Sequence, residues 1–161
     1  MFKNKDIAFL NLKMQLRKEG YLITKEYPKN KGRDLLIVAS KKGKTEIFWA
    51  KFKRDFFHSF NKEFPYFVSE NPQFSGYGES ININHLEEII KFNCDLILFC
   101  YANGKVYSVF PLFFKKFGET HKLIRIQERT NLYLQPDYSG EKKPVQEMTL
   151  SIPLSLLKRF I

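Results

Sequence analysis

One acid-led hairpin constrains this chain more than any other feature. Asp34-Leu35-Leu36-Ile37-Val38 is a carboxylate opening a continuous apolar strand, and Lys41-Lys42-Gly43-Lys44 reads as a tight turn. Thr45 to Lys53 then reads as the return strand. Side chains alternate along a strand, so Ile47, Trp49, Lys51 and Lys53 share one face, while Glu46, Phe48, Ala50 and Phe52 share the other. One face is apolar beyond Glu46, and the opposite one turns basic at its end.

Around this hairpin the patterning alternates between helix and strand. Residues 5 to 19 carry Ile7, Leu10 and Met14 at helical spacing, with Phe9, Leu12 and Leu16 widening the stripe. Lys13, Arg17 and Lys18 decorate the other side, and Gly20 is placed to stop the helix. Tyr21-Leu22-Ile23 begins a short strand that ends by Pro28, and Lys29-Asn30-Lys31-Gly32 is a turn. Arg54 to Ser80 is aromatic, polar and rich in Pro and Gly, which predicts a long loop. Asn84 is predicted to cap a helix running to about Phe92, with Glu87 three residues on completing a capping box. Leu96 to Tyr101 is a buried strand, Asn103-Gly104 a type I′ turn, and Lys105 to Phe110 the return strand. Pro111 opens a short helix through Phe117. From 119 to 150 there is one apolar alternation, around Leu123 to Ile126, and then turn-rich sequence; Ile152 to Leu157 is a short closing element. The expectation is one mixed α/β domain spanning residues 1–161.

A chain of 161 residues can bury a real core, and an aromatic fraction of 16% with 17 Phe argues for a packed globule. Lys and Arg outnumber Asp and Glu 27 to 17, for a formal charge of +10. Such a field attracts polyanions, nucleic acid first and anionic membrane second; the alternative is a composition merely rich in lysine. Cys94 and Cys100 sit in or beside an apolar run without further Cys or His at zinc-ligand spacing, so they read as buried, reduced thiols of an intracellular protein. No apolar run approaches the roughly 20 residues of a membrane span, and the first residues lead straight into a helical pattern. A cytoplasmic protein with no membrane partner is expected.

The order of these elements, with Leu16-Arg17-Lys18-Glu19-Gly20-Tyr21, Gly32-Arg33-Asp34-Leu35-Leu36-Ile37-Val38 and Phe48-Trp49-Ala50-Lys51-Phe52-Lys53, resembles the PD-(D/E)xK nuclease superfamily. That superfamily includes restriction endonucleases and archaeal Holliday-junction resolvases. The resemblance covers roughly residues 5 to 110 and implies a restriction-endonuclease-like core, a mixed central sheet flanked by helices. It also implies DNA, duplex or branched, as the partner, Mg²⁺ as the cofactor, and a homodimer with two active sites. In this family an Asp and a second acid two residues before a Lys hold the metal. Hydrolysis of a phosphodiester needs a hard cation on oxygen ligands to neutralise developing charge and activate water, and a Lys to steady the nucleophile or phosphate.

Asp34 matches the first acid, and Lys51 and Lys53 are the candidate lysines. The second acid is missing. If Lys51 is the family lysine, Trp49 stands in the acid's place; if Lys53 is, Lys51 itself does. Glu46 lies on the wrong face by strand parity. The loss is natural, or an inactivating substitution put Lys51 there, or the acid has moved to another element. Asp6, on the first helix, is a further candidate metal-site acid, with a solvated first-turn acid as the alternative. For the nucleic-acid face the candidates are Lys31, Arg33, Lys53, Arg54, His58, Lys115, Lys116 and Arg125, several of them beside aromatics that could stack on unpaired bases. Phe113 and Phe114 read more readily as core. Two functions follow, a Mg²⁺-dependent DNA endonuclease lacking its second acid, and a non-catalytic nucleic-acid-binding module on the same fold. An RNA-splicing type of endonuclease is disfavoured because its Tyr/His/Lys triad is not recognisable.

Overall fold

The computed structural model describes residues 4–53, 66–67, 76–130 and 144–161. Helix α1 (Lys5–Lys18) leads into β1 (Leu22–Lys29), β2 (Asp34–Lys41) and β3 (Lys44–Lys53). Short β4 (Tyr66–Phe67) and β5 (Gly76–Asn82) precede α2 (Ile83–Lys91), β6 (Leu96–Tyr101), β7 (Val106–Val109) and α3 (Pro111–Thr120). The chain ends with β8 (Ile124–Thr130), β9 (Pro144–Pro153), one 3-10 turn at Leu154–Leu156 and β10 (Lys158–Arg159). The result is α/β, with a mixed six-stranded sheet in the order β1-β2-β3-β6-β7-β10 and a second, four-stranded sheet β4-β5-β9-β8.

Three consecutive strands, β1 to β3, form an antiparallel meander, and β6 returns parallel to β3 after the crossover through α2. The tight turn at the hairpin tip is made by Lys42 and Gly43, both at positive φ (51° and 76°), as a type I′ connection demands. Register then puts Asp34 directly opposite Lys51, and Leu36 opposite Trp49. The parity expected from sequence holds. Trp49 and Leu36 belong to the core cluster that includes Leu86 and Ile89 of α2 and Phe114 of α3. Phe48 and Ala50 point into the other cluster, against Phe9, Leu12 and Leu16 of α1.

Several elements differ from the sequence reading. The buried face of α1 is Ala8, Phe9, Leu12 and Leu16, whereas Ile7, Leu10 and Met14 are exposed. The helix carries two apolar stripes, and the one bearing the aromatic ring meets the sheet. Residues 76–80, expected in a loop, are strand, and the ten-residue strand β9 occupies sequence expected to be turn-rich. Both strands draw their stability from a mutual antiparallel ladder that a local pattern does not reveal. Asn82, not Asn84, caps α2, its side chain accepting from the amides of Asn84 (2.9 Å) and His85 (3.4 Å). The β6–β7 connection is not type I′. Gly104 alone takes positive φ (88°) in a three-residue loop, the pattern of a type I turn closed by a left-handed residue. No described helix is long and apolar enough to cross a membrane.

Candidate functional site

The site is assembled where β2 begins and β3 ends. The turn before it runs through three successive left-handed residues, Asn30, Lys31 and Gly32 (φ 52°, 56° and 81°). Backbone bonds from Gly32 to Lys29 and from Arg33 to Asn30 close it. Asp34 thereby enters the sheet with its side chain 5% exposed, and a carboxylate this deep requires partners. It has four. Lys51 Nζ donates to Asp34 Oδ2 at 2.8 Å, Trp49 Nε1 donates at 2.9 Å, His85 Nε2 lies at 3.0 Å and Asn30 Nδ2 at 3.4 Å. All of these contacts fall on Oδ2. Burial alone would raise the carboxyl's pKa, but the His85 hydrogen bond, the Lys51 charge and hydrogen bond, and the Trp49 indole outweigh it and hold the group at about 2. Burial pushes Lys51 the other way, below its ordinary value, and the Asp34 charge opposes that shift.

His85 reaches this point from the first turn of α2. Its Nε2 is 2.9 Å from Lys51 Nζ and its Nδ1 is 3.5 Å from Glu88 one turn on, while its ring packs edge-on against Trp49 at 5.3 Å. No spacing in the sequence marked His85. The topology that brings α2 over β3 is the only signal that could have found it.

Lys53 is two positions further along the same face, and it is paired with an acid the sequence reading passed over. Glu79 on β5 is fully buried, with Oε1 accepting from the Tyr101 hydroxyl at 2.8 Å and Oε2 lying 2.9 Å from Lys53 Nζ. That last contact is an ion pair, and among the described residues Oε2 makes no hydrogen bond. Burial, reinforced by the Glu79 charge, drives the Tyr101 hydroxyl far above the usual tyrosine range. Glu79 was hidden because residues 54–80 carry no strand pattern that would assign it a face.

In front of these groups lies a cavity of about 590 Å³ lined by Asn4, Lys5, Asn30, Arg33, Asp34, Lys51, Phe52 and Lys53. Among the described residues the lining sets four cations, Lys5, Arg33, Lys51 and Lys53, against the carboxylate of Asp34. The structure therefore brings together Asp34, Lys51, Lys53 and Arg33, as the sequence suggested. Lys31 is exposed on the adjoining turn. Asp6 is exposed and turned toward Lys5 at 3.2 Å; it lines a neighbouring cavity of about 360 Å³ that Asp34 also touches. Lys115 and Lys116 lie on α3 and line neither of these cavities, Lys115 being near Glu87 (3.9 Å) and Glu119 (4.0 Å). Arg125 falls on β8. Arg54 and His58 lie outside the described residues. Phe114 is core as expected, whereas Phe113 is 42% exposed and packs on Phe117. Glu46 sits on the α1 face, accepting from the Tyr21 hydroxyl at 2.9 Å, away from Asp34 as parity required.

Magnesium takes oxygen ligands in near-octahedral geometry and keeps several waters. As arranged, these residues do not fit it. The Lys51 ammonium rests on Asp34 Oδ2, which also takes Trp49, His85 and Asn30, and the second acid, Glu79, is engaged by Lys53 and Tyr101. Among the described residues no three His, Cys, Asp or Glu side chains cluster at metal-holding distance. Comparison with protein-family models, curated proteins and solved structures returns no match for this chain.

Proposed function

We propose that this chain is a nucleic-acid-binding domain on a restriction-endonuclease-like core of the PD-(D/E)xK kind, gripping the sugar–phosphate backbone of DNA at a nuclease-like site that has lost its second acid. The observation that carries the reading is the pairing of Asp34 with Lys51 across the β2–β3 hairpin, at the wall of a cavity that also presents Arg33 and Lys53. The helix-first order, the antiparallel meander and the parallel return of β6 support the core assignment. The homodimer is proposed on the resemblance alone.

Cations that displace counterions from phosphates make binding steeply dependent on salt. Because Glu79 holds Lys53, the cations left to engage are Lys5, Arg33 and Lys51, and log K for duplex DNA is expected to fall with log salt at a slope of about −2 to −3. Arg33→Ala should flatten that slope by about 1 without altering sequence preference. Fluorescence anisotropy with a labelled duplex across a salt series measures both. A flat salt response, or a slope unchanged by Arg33→Ala, removes the backbone-binding reading.

A second reading, phosphodiester hydrolysis, is favoured by one observation: a buried acid, Glu79, does reach Lys53 from another element. Lys51→Glu places an acid two residues ahead of Lys53 and directly opposite Asp34. On the hydrolytic reading this variant nicks supercoiled DNA when Mg²⁺ is added and the unaltered chain does not. A folded Lys51→Glu protein that still binds DNA but leaves it intact would sink hydrolysis and keep binding.

A further inference from the structure

We infer that Lys51 is the permanent cation of this site, its ammonium filling the position between Asp34 and His85 that a divalent transition-metal ion would otherwise take. The inference deepens the reading above, because it says how a nuclease-like site holds phosphate with no metal. Its first readout does not involve nucleic acid.

The geometry is that of a coordination site with nitrogen at its centre. Lys51 Nζ is 2.8 Å from Asp34 Oδ2 and 2.9 Å from His85 Nε2, and those two atoms are 3.0 Å apart. Two donors so spaced subtend about 90° at a metal about 2.1 Å from each, the cis angle of an octahedral ion. The surroundings are those of metal ligands as well. A ligating histidine commonly directs its other ring nitrogen at a carboxylate that fixes its orientation, and His85 Nδ1 faces Glu88 at 3.5 Å. The Trp49 indole and the Asn30 amide fix the same oxygen, Oδ2, at 2.9 and 3.4 Å. One imidazole and one carboxylate suit nickel, zinc or copper better than magnesium. With the ammonium present, Asp34 Oδ2 is held by a cation the chain carries itself; a metal in its place would also displace the Nε2 proton that His85 donates to Asp34.

An ordinary buried ion pair makes a different prediction from a filled cation site. Nickel chloride and magnesium chloride are titrated calorimetrically into the full chain, Lys51→Ala, and the Lys51→Ala/His85→Ala and Lys51→Ala/Glu88→Gln double variants. Expected is one nickel per chain for Lys51→Ala beyond what the unaltered chain takes, lost in the His85→Ala double variant. Glu88→Gln should weaken it by about 10–100-fold, as loss of an orienting carboxylate does, and magnesium should bind little. Lys51→Met, which keeps the aliphatic stem out of the donors' way only in part, should take nickel more weakly. Should Lys51→Ala prove unfolded, nickel is expected to restore its circular dichroism, since a ligand bound by the native state alone draws folding with it. No nickel gained in Lys51→Ala over the His85→Ala double variant, folded or refolding, overturns the inference. So does nickel binding by the unaltered chain that Asp34→Asn abolishes. In the second arm, DNA affinity of the unaltered chain should not change on adding a chelator at fixed ionic strength. If nickel behaves as expected while DNA does not bind, the nucleic-acid reading falls and the filled cation site stands.

Discussion

Asp34→Ala is expected to destabilise the chain by about 3–5 kcal/mol, because it strips the counter-charge from a buried ammonium and leaves a buried indole N–H without its acceptor. Lys51 has a side chain only 12% exposed, and Trp49 is fully buried. Trp49 cannot turn to water without repacking the sheet. The coupling is testable as a cycle, since Lys51→Met in the Asp34→Ala background removes the uncompensated charge and should recover part of the loss. Protonation probes the same group more gently. The folded-state value near 2 lies below the ordinary 3.8, so the stabilisation is present above about pH 4 and is lost as pH falls through that window. The difference corresponds to about 2 kcal/mol between pH 5 and pH 2. Urea unfolding at those two pH values should show a smaller drop for Asp34→Asn than for the unaltered chain. Equal drops, or an Asp34→Ala loss under about 1 kcal/mol, would mean that Asp34 is a spectator.

The first half of the fold was legible in the sequence because local chemistry and tertiary context agree there. Gly20 at φ 95° ends α1, Lys42-Gly43 fits the one turn that its strands allow, and strand parity sorts Trp49 and Lys51 from Phe48 and Ala50. The same parity put Asp34 and Lys51 on one face, and the register makes them direct neighbours. What stayed hidden depends on contacts between distant segments. His85 sits 51 positions from Asp34, and it joins the site only because Asn82 starts α2 two residues earlier than Asn84 would have. The exposure of Ile7, Leu10 and Met14 was equally illegible, since both apolar stripes of α1 are helical in period and only the sheet chooses between them. The geometry also bears on the missing acid. Trp49, in one of the two positions where that acid would stand, is fully buried, donates to Asp34 and packs against His85 and Phe92. Indole, ammonium and imidazole from two elements converge on a single oxygen, and Lys51 takes both Asp34 and His85 as partners.

Glu79 is where the second sheet enters the site, and Glu79→Ala should cost about 3–5 kcal/mol for the same reason as Asp34→Ala. The carboxylate is the link between β5 and two residues of the first sheet, Lys53 on β3 and Tyr101 on β6, and none of its side chain is exposed. Its removal takes that acceptor from the Tyr101 hydroxyl and leaves Lys53, which lines the cavity, without the Glu79 charge. Two variants separate these effects. Tyr101→Phe removes the hydrogen bond to Glu79 and should cost about 1–3 kcal/mol, a smaller loss than Glu79→Ala. Glu79→Gln keeps the shape and an acceptor for Tyr101 but drops the charge, so Lys53 is freed to meet phosphate. In that variant the salt slope for DNA should steepen by about 1, even as chemical unfolding shows a less stable protein. A purely structural Glu79 would lower stability and leave the slope where it was, and that result would detach the second sheet from the binding site altogether.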